Sequence, residues 1–161
     1  MHRGTRVCID ARLPGPLLAE AVAAGRLEAF RGWRVAGREV PLGGSRLDLV
    51  LVDLEGRTVY AETKSVTLVQ GGMALFPDAP TLRGARHLLE LARAAAAGMR
   101  AAAVFVVQRE DARGWAPNEE TDPRFAQALR AAARAGVEVR AVRCRVGEST
   151  VAVVDEIPVF L

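Results

Sequence analysis

The chain carries a single lysine, Lys64, among 22 lysines and arginines. Arginine stays protonated in proteins, whereas lysine is a compact point charge that shifts its pKa when buried and serves in acid/base chemistry. Glu62 stands two positions before Lys64, and Asp48 lies in the preceding apolar run "SRLDLVLVDL". Residues two apart on a strand project from one face, so Glu62 and Lys64 point together. Two carboxylates and an ammonium beside an apolar sheet cost roughly several kcal/mol each to bury unless their charges are matched. A hard divalent cation matches them, because Mg²⁺ or Mn²⁺ prefers oxygen ligands and keeps several waters. Lys64 can then position or deprotonate a water, which is the chemistry of metal-assisted phosphodiester hydrolysis. The same spacing also suits an ordinary exposed hairpin, with Lys64 in a cross-strand ion pair worth ~0–1 kcal/mol. Glu20, on the first helix, either reaches this cluster as a third carboxylate or is a solvated helix residue.

The elements that must position these residues are legible in the pattern. "SRLDLVLVDL" alternates, with Leu47, Leu49 and Leu51 expected on one face and Asp48, Val50 and Val52 on the other. "EGR" is a turn signal, and "TVYAETKSV" is the returning arm of a hairpin that brings Asp48 opposite Glu62. Before them come a short strand "RVCID", a helix opened by Pro16 and interrupted at Gly25, and "RVAGREVPL" as a strand or hairpin arm. "QGGMALFPDAPT" reads as a loop, and a helix follows from about Gly84 to Ala97. "AAAVFVV" is a strand buried on both faces, and "REDARGWAPNEETDP" is a second loop. Asp122 and Pro123 open a helix that Gly136 closes, and "VEVRAVRCRV" and "VAVVDEI" are late strands. The order α-β-β-β-α-β-α-β makes one α/β domain with a mixed central sheet flanked by helices.

Composition narrows the function classes. Half of the 161 residues are apolar, enough for a sizeable core. No apolar run reaches the ~20 residues of a membrane helix, and "MHRGTRVCID" lacks the apolar core of a secretory signal. Cys8 and Cys144 lack the spacing of a disulfide framework or a zinc site, and suit two buried thiols in a reducing cytoplasm. The net charge of +3 permits a polyanionic partner without requiring one. Arg86, Arg93 and Arg100 recur at even spacing, as a solvated face or as a phosphate track. Trp33 and Trp115 read as packing residues.

The stretches "SRLDLVL", "YAETKSVTL", "FPDAPTLRGARHLLEL", "VFVVQREDARGWAPN", "DPRFAQAL" and "GVEVRA" together resemble the sugar fermentation stimulation protein family over nearly the whole chain. That resemblance implies a PD-(D/E)xK restriction-endonuclease-like core, α-β-β-β-α-β. It sets Asp48 on the "D" and Glu62 and Lys64 on the "(D/E)xK". It implies catalytic roles for Asp48, Glu62, Lys64, Glu20 and Gln108, with Asp48, Glu62 and Glu20 on a Mg²⁺ or Mn²⁺ ion. Ser45, Arg46, Arg83 and Arg86 are candidates for DNA phosphate contacts, although Arg46 equally suits pairing with a neighbouring acid. Asp78 and Arg83 lie in a loop that either meets substrate or metal or is simply a rigid Pro-containing segment. Family members usually begin with an OB-like barrel. On this reading residues 1–14 are the remnant that joins it to a nuclease-like domain at 15–161, and Asp10 and Gly15 stand where the family usually has asparagines. The expected function is a cytoplasmic DNA-binding protein with a metal-dependent nuclease-like site. The alternative is a non-catalytic DNA-binding regulator of sugar (maltose) metabolism that uses the fold as a platform.

Overall fold

The computed structural model describes residues 4–161. In chain order these form α1 (Pro14–Ala23), one 3-10 turn (Glu28–Phe30), β1 (Arg34–Leu42), β2 (Ser45–Val52), β3 (Thr58–Val66), β4 (Leu68–Gln70) and β5 (Met73–Phe76). There follow α2 (Leu82–Ala96), β6 (Arg100–Val107), β7 (Gly114–Pro117), α3 (Pro123–Arg134), β8 (Glu138–Val146) and β9 (Val151–Ile157). Six strands make a mixed sheet in the order β1-β2-β3-β6-β8-β9. The first three form an antiparallel meander, β3, β6 and β8 run parallel, and β9 closes the sheet antiparallel. The parallel steps need long crossovers, and α2 and α3 supply them. The expected α-β-β-β-α-β core is thus present as α1, β1, β2, β3, α2 and β6.

The sheet carries helices on both faces, so its middle strands must be apolar on both sides. β6 is buried along all of its length except Arg100. Its Val104 and Val106 pack with Leu17, Leu18 and Val22 of α1, while its Ala103, Phe105 and Val107 pack with Leu88 and Leu91 of α2 and Leu129 of α3. Phe105 stacks on the buried Trp115 at a centroid distance of 3.9 Å. Trp33 lies beneath the Arg100 guanidinium at 4.9 Å, so both tryptophans are packing residues as expected.

Several element expectations change. "RVCID" adds no strand; it runs past the end of β6, where the Cys8 amide donates to the Gln108 carbonyl at 3.0 Å. The first helix starts at Pro14 rather than Pro16, and Gly25, at φ 67°, turns the chain before the 3-10 turn. Both expected loops hold strands, since β4, β5 and β7 form a second sheet in the order β4-β5-β7. β5 pairs with a segment far along the chain, and such pairing leaves no local periodicity to read.

The face assignment in β2 also shifts. Leu49 and Leu51 join the α1 side, whereas Leu47 joins the α2 side. Pairing of β2 with β3 runs only from Val52↔Thr58 to Leu49↔Ala61. On the other flank, Glu39 takes φ 51° between the paired positions Arg38↔Leu49 and Val40↔Leu47. The β1–β2 register runs straight across Glu39, and the irregularity in β1 lies earlier, between Val35 and Gly37. β2 leaves the β3 ladder at Asp48, and the cleft lies there.

Candidate active site

The cleft has a volume of about 590 Å³ and is lined by residues of α1, β1, β2, β3, β5 and α2, among them Asp48, Glu62 and Lys64. Each of the three is held differently. Where the β2–β3 ladder stops, the Thr63 amide has no backbone partner on β2, and Asp48 Oδ2 accepts it at 2.7 Å. The same oxygen accepts the Thr63 hydroxyl at 2.7 Å. The first turn of α1 closes over this contact, with Gly15 against the Asp48 side chain.

Glu62 and Lys64 project from the opposite face of Thr63, toward α2. Glu62 is only 4% exposed. Its Oε1 accepts from Lys64 Nζ at 2.7 Å and lies 2.6 Å from His87 Nδ1. Lys64 Nζ also lies 2.9 Å from that ring nitrogen. Glu62 Oε2 is buried and has no hydrogen-bond partner. A buried carboxylate oxygen without a donor costs about 1–3 kcal/mol or more, so this atom awaits an electropositive partner.

The remaining residues singled out from the sequence divide. Gln108 is fully buried beside the site; its Nε2 donates to Ser65 Oγ at 2.6 Å and to the Asp10 carbonyl at 3.1 Å, and its Oε1 has no partner. It braces Ser65, the neighbour of Lys64, and ties the segment before α1 to β3. Glu20 lies on the far part of α1; its side chain is 52% exposed and pairs with Arg26 at 3.0 Å, outside the cleft lining. Among the described residues no three His, Cys, Asp or Glu side chains converge as a metal-holding group. Arg83 is on the cleft rim, whereas Ser45, Arg46, Asp78 and Arg86 are not among its lining residues. Ser45 and Arg46 sit near the tip of the β1–β2 hairpin, opposite Leu42 and Pro41. The evenly spaced arginines form no continuous track: Arg93 pairs with Glu90 at 3.3 Å, and Arg100, on β6, pairs with Glu138 at 2.6 Å.

Sequence reasoning missed Arg12, Arg38, Glu39 and His87, all of which line the cleft. His87 was findable in principle, as a histidine at the buried face of α2 beside Leu88 and Leu91. Arg38 and Glu39 carried no signal, because which β1 residues face the cleft depends on pairing with β2 and on the end of the β2–β3 ladder. At the cleft edge the Arg12 side chain donates to Asp10 and holds its carboxyl at about 2, below the ordinary 3.8. On β8, in the core beneath α1, burial pushes the Cys144 thiol up to about 12.

With this geometry in hand, the chain can be set beside known proteins. A family model described as "Sugar fermentation stimulation protein RE domain" matches residues 12–150. A sugar fermentation stimulation protein homolog of Moorella thermoacetica is 52% identical over 160 residues, covering 99% of this chain and 69% of its own. Another, from Alkaliphilus metalliredigens, is 46% identical over 160 residues with the same coverage of 99% and 69%. The solved structure of Pyrococcus furiosus SfsA, described as a complex with Ca²⁺, superposes with a TM-score of 0.92 at 34% identity, covering 99% of this chain and 69% of that one. Among the described residues no helix is long and apolar enough to cross a membrane.

Proposed function

The chain belongs to the sugar fermentation stimulation protein family, and on that premise we propose that its cleft binds DNA and hydrolyses a phosphodiester with the help of a divalent cation. The observation that carries this reading is Glu62 Oε2, a buried carboxylate oxygen with no protein donor, in a cleft shared with Asp48. Two carboxylates are hard oxygen donors of the kind Mg²⁺ or Mn²⁺ selects. The Ca²⁺ described for the Pyrococcus furiosus relative is also a hard, oxygen-seeking ion. Asp48 and Glu62 would hold the ion, with Glu20 as a further ligand only if it leaves Arg26. When bound, the ion supplies positive charge against the negative charge that develops on the phosphate.

The side chains supply the rest. Lys64 Nζ lies against Glu62 with only 15% of its side chain exposed, so it presents its protons to a small volume beside that carboxylate, in the cleft that Asp48 also lines. There it orients an attacking water and takes or returns a proton at Nζ. Thr63 fixes Asp48 through two hydrogen bonds. Gln108 holds Ser65, and through it the strand position of Lys64. Arg12, Arg38 and Arg83 on the rim attract the phosphate backbone, which makes binding salt-dependent and weakly sequence-specific. Ser45, Arg46 and Arg86 extend this track only if the DNA reaches beyond the cleft. Work on DNA is in keeping with a cytoplasmic location, where both thiols stay reduced.

A second reading, a DNA-binding regulator of sugar metabolism without catalysis, is favoured by one observation. Glu20 is turned to Arg26, and no three-ligand cluster is gathered among the described residues. One experiment separates the two. The purified chain is incubated with single- and double-stranded DNA in Mg²⁺, Mn²⁺ or EDTA, with the Lys64→Ala variant alongside. The expected result is cutting that needs the ion and falls by roughly 10²–10⁴ in the variant, the usual worth of a positioned acid/base group. Cutting that survives Lys64→Ala unchanged overturns the mechanism, and binding without cutting under every ion supports the regulator.

A further inference from the structure

Glu62, Lys64 and His87 form a triangle, and with Glu62 ionised, as a cation ligand is, the distances admit one place for the His87 proton. His87 Nδ1 lies 2.6 Å from Glu62 Oε1, Lys64 Nζ lies 2.7 Å from the same oxygen, and the two nitrogens are 2.9 Å apart. A lone pair on Nδ1 cannot face a carboxylate oxygen at that distance, so Nδ1 carries its hydrogen and donates to Oε1. A lysine ammonium has three donors and no acceptor, so the short Nζ–Nδ1 approach is not itself a hydrogen bond. It follows from both groups converging on one oxygen. Oε1 is then doubly satisfied, while Oε2, equally buried, has nothing. Two protein donors on a single oxygen fix the plane and rotation of the carboxylate and leave the other oxygen for an outside partner.

From this we infer that His87 is a positioning residue, which pins Oε1 of Glu62 through its Nδ1–H so that Oε2 is held ready for a divalent cation. The inference rests on the metal-site reading above and deepens it. His87 is 7% exposed and is carried on α2, whose first turn is fixed by the Thr81 side chain accepting from the Gly84 amide at 2.9 Å. Thr81 is in turn tied to α3, its amide donating to Asp122 Oδ2 at 2.8 Å. The carboxylate on the central sheet is thus aimed by a helix that is anchored elsewhere. Groups that orient a ligand in this manner typically contribute 10–100-fold in metal affinity. A histidine that only fills space would contribute none of this, and a near-isosteric apolar side chain would serve as well.

The test uses the full chain and Mn²⁺ alone, without DNA. Binding is measured by titration calorimetry for the wild type, His87→Asn and His87→Leu, with thermal melts to compare their folding. Asn and Leu are close in shape, but the Asn amide can donate from near the Nδ1 position and Leu cannot. The expected result is that Leu weakens Mn²⁺ binding by ~10–100-fold and that Asn restores most of it. Equal binding by the wild type and Leu overturns the inference while leaving the metal site standing. Equal weakening in Asn and Leu, with similar melts, also overturns it, because the donor then does not matter. A wild-type chain that binds no Mn²⁺ overturns the metal-site reading itself, and this inference with it.

Discussion

Asp48 is held by a neighbour that no motif names. Thr63 stands between Glu62 and Lys64, yet it supplies both hydrogen bonds that seat the Asp48 carboxylate. Thr63→Val keeps the shape and removes the hydroxyl, so it should cost about 1 kcal/mol of stability, the net worth of one hydrogen bond. It should also weaken Mn²⁺ binding, since one of the two bonds that orient Asp48 is gone; a denaturant melt and a titration read the two effects separately. Asp10 gives a pH prediction at the same scale. The Arg12 side chain holds its carboxyl at about 2, below the ordinary 3.8. A depressed carboxyl contributes stability above its ordinary value and loses it as pH falls toward the folded value. Its carboxyl resonance should therefore titrate near 2, and Arg12→Ala should return it toward 3.8. Residue types and spacing raised Asp48, Glu62 and Lys64 as one reading beside an ordinary hairpin, and the family resemblance chose between the two. Thr63 was not legible, because its role depends on where β2 leaves β3; His87 was readable as a buried residue of α2, but its contact with Glu62 was not, because that depends on how α2 lies across the sheet.

At the scale of elements, the cleft lies where one ladder ends early. Pairing of β2 with β3 stops at Leu49↔Ala61, and Glu39 holds φ 51° across from that break. The hairpin itself was readable from "EGR" between two alternating runs, and so was the α3 start at Asp122 and Pro123. The break and the sheet β4-β5-β7 were not, since each is set by pairing between segments rather than by local pattern. Asp122 shows how elements are coupled: its carboxylate caps α3 by accepting from the Phe125 amide at 2.9 Å and also accepts from the Thr81 amide at the start of α2. Asp122→Ala removes a cap and strands a second amide. It should cost about 2 kcal/mol or more in a denaturant melt, and less than half of that would mean that water replaces it.

Across the whole molecule, charge and burial separate a working face from a structural one. Arg83 stands on the cleft rim, while Arg46 stands near the hairpin tip outside the lining. Arg83→Ala should lower the salt dependence of DNA binding by about one phosphate contact, and Arg46→Ala should change it less. In the core beneath α1, Cys144 is fully buried, its thiol pushed up to about 12, whereas Cys8 is half-buried. A thiol reagent at neutral pH should therefore label Cys8 first and reach Cys144 only on unfolding. The alternation of strands and helices was visible in the sequence because both faces of the central sheet had to be apolar. The extent of the cleft was not, because it draws on α1, four strands and α2 at once. The central claim is that Asp48 and Glu62 together hold a hard divalent ion. The most direct measurement is the anomalous difference density of a crystal soaked in Mn²⁺. The account predicts a peak within coordination distance of both an Asp48 oxygen and Glu62 Oε2. A peak confined to other residues, or none at saturating Mn²⁺, would contradict it.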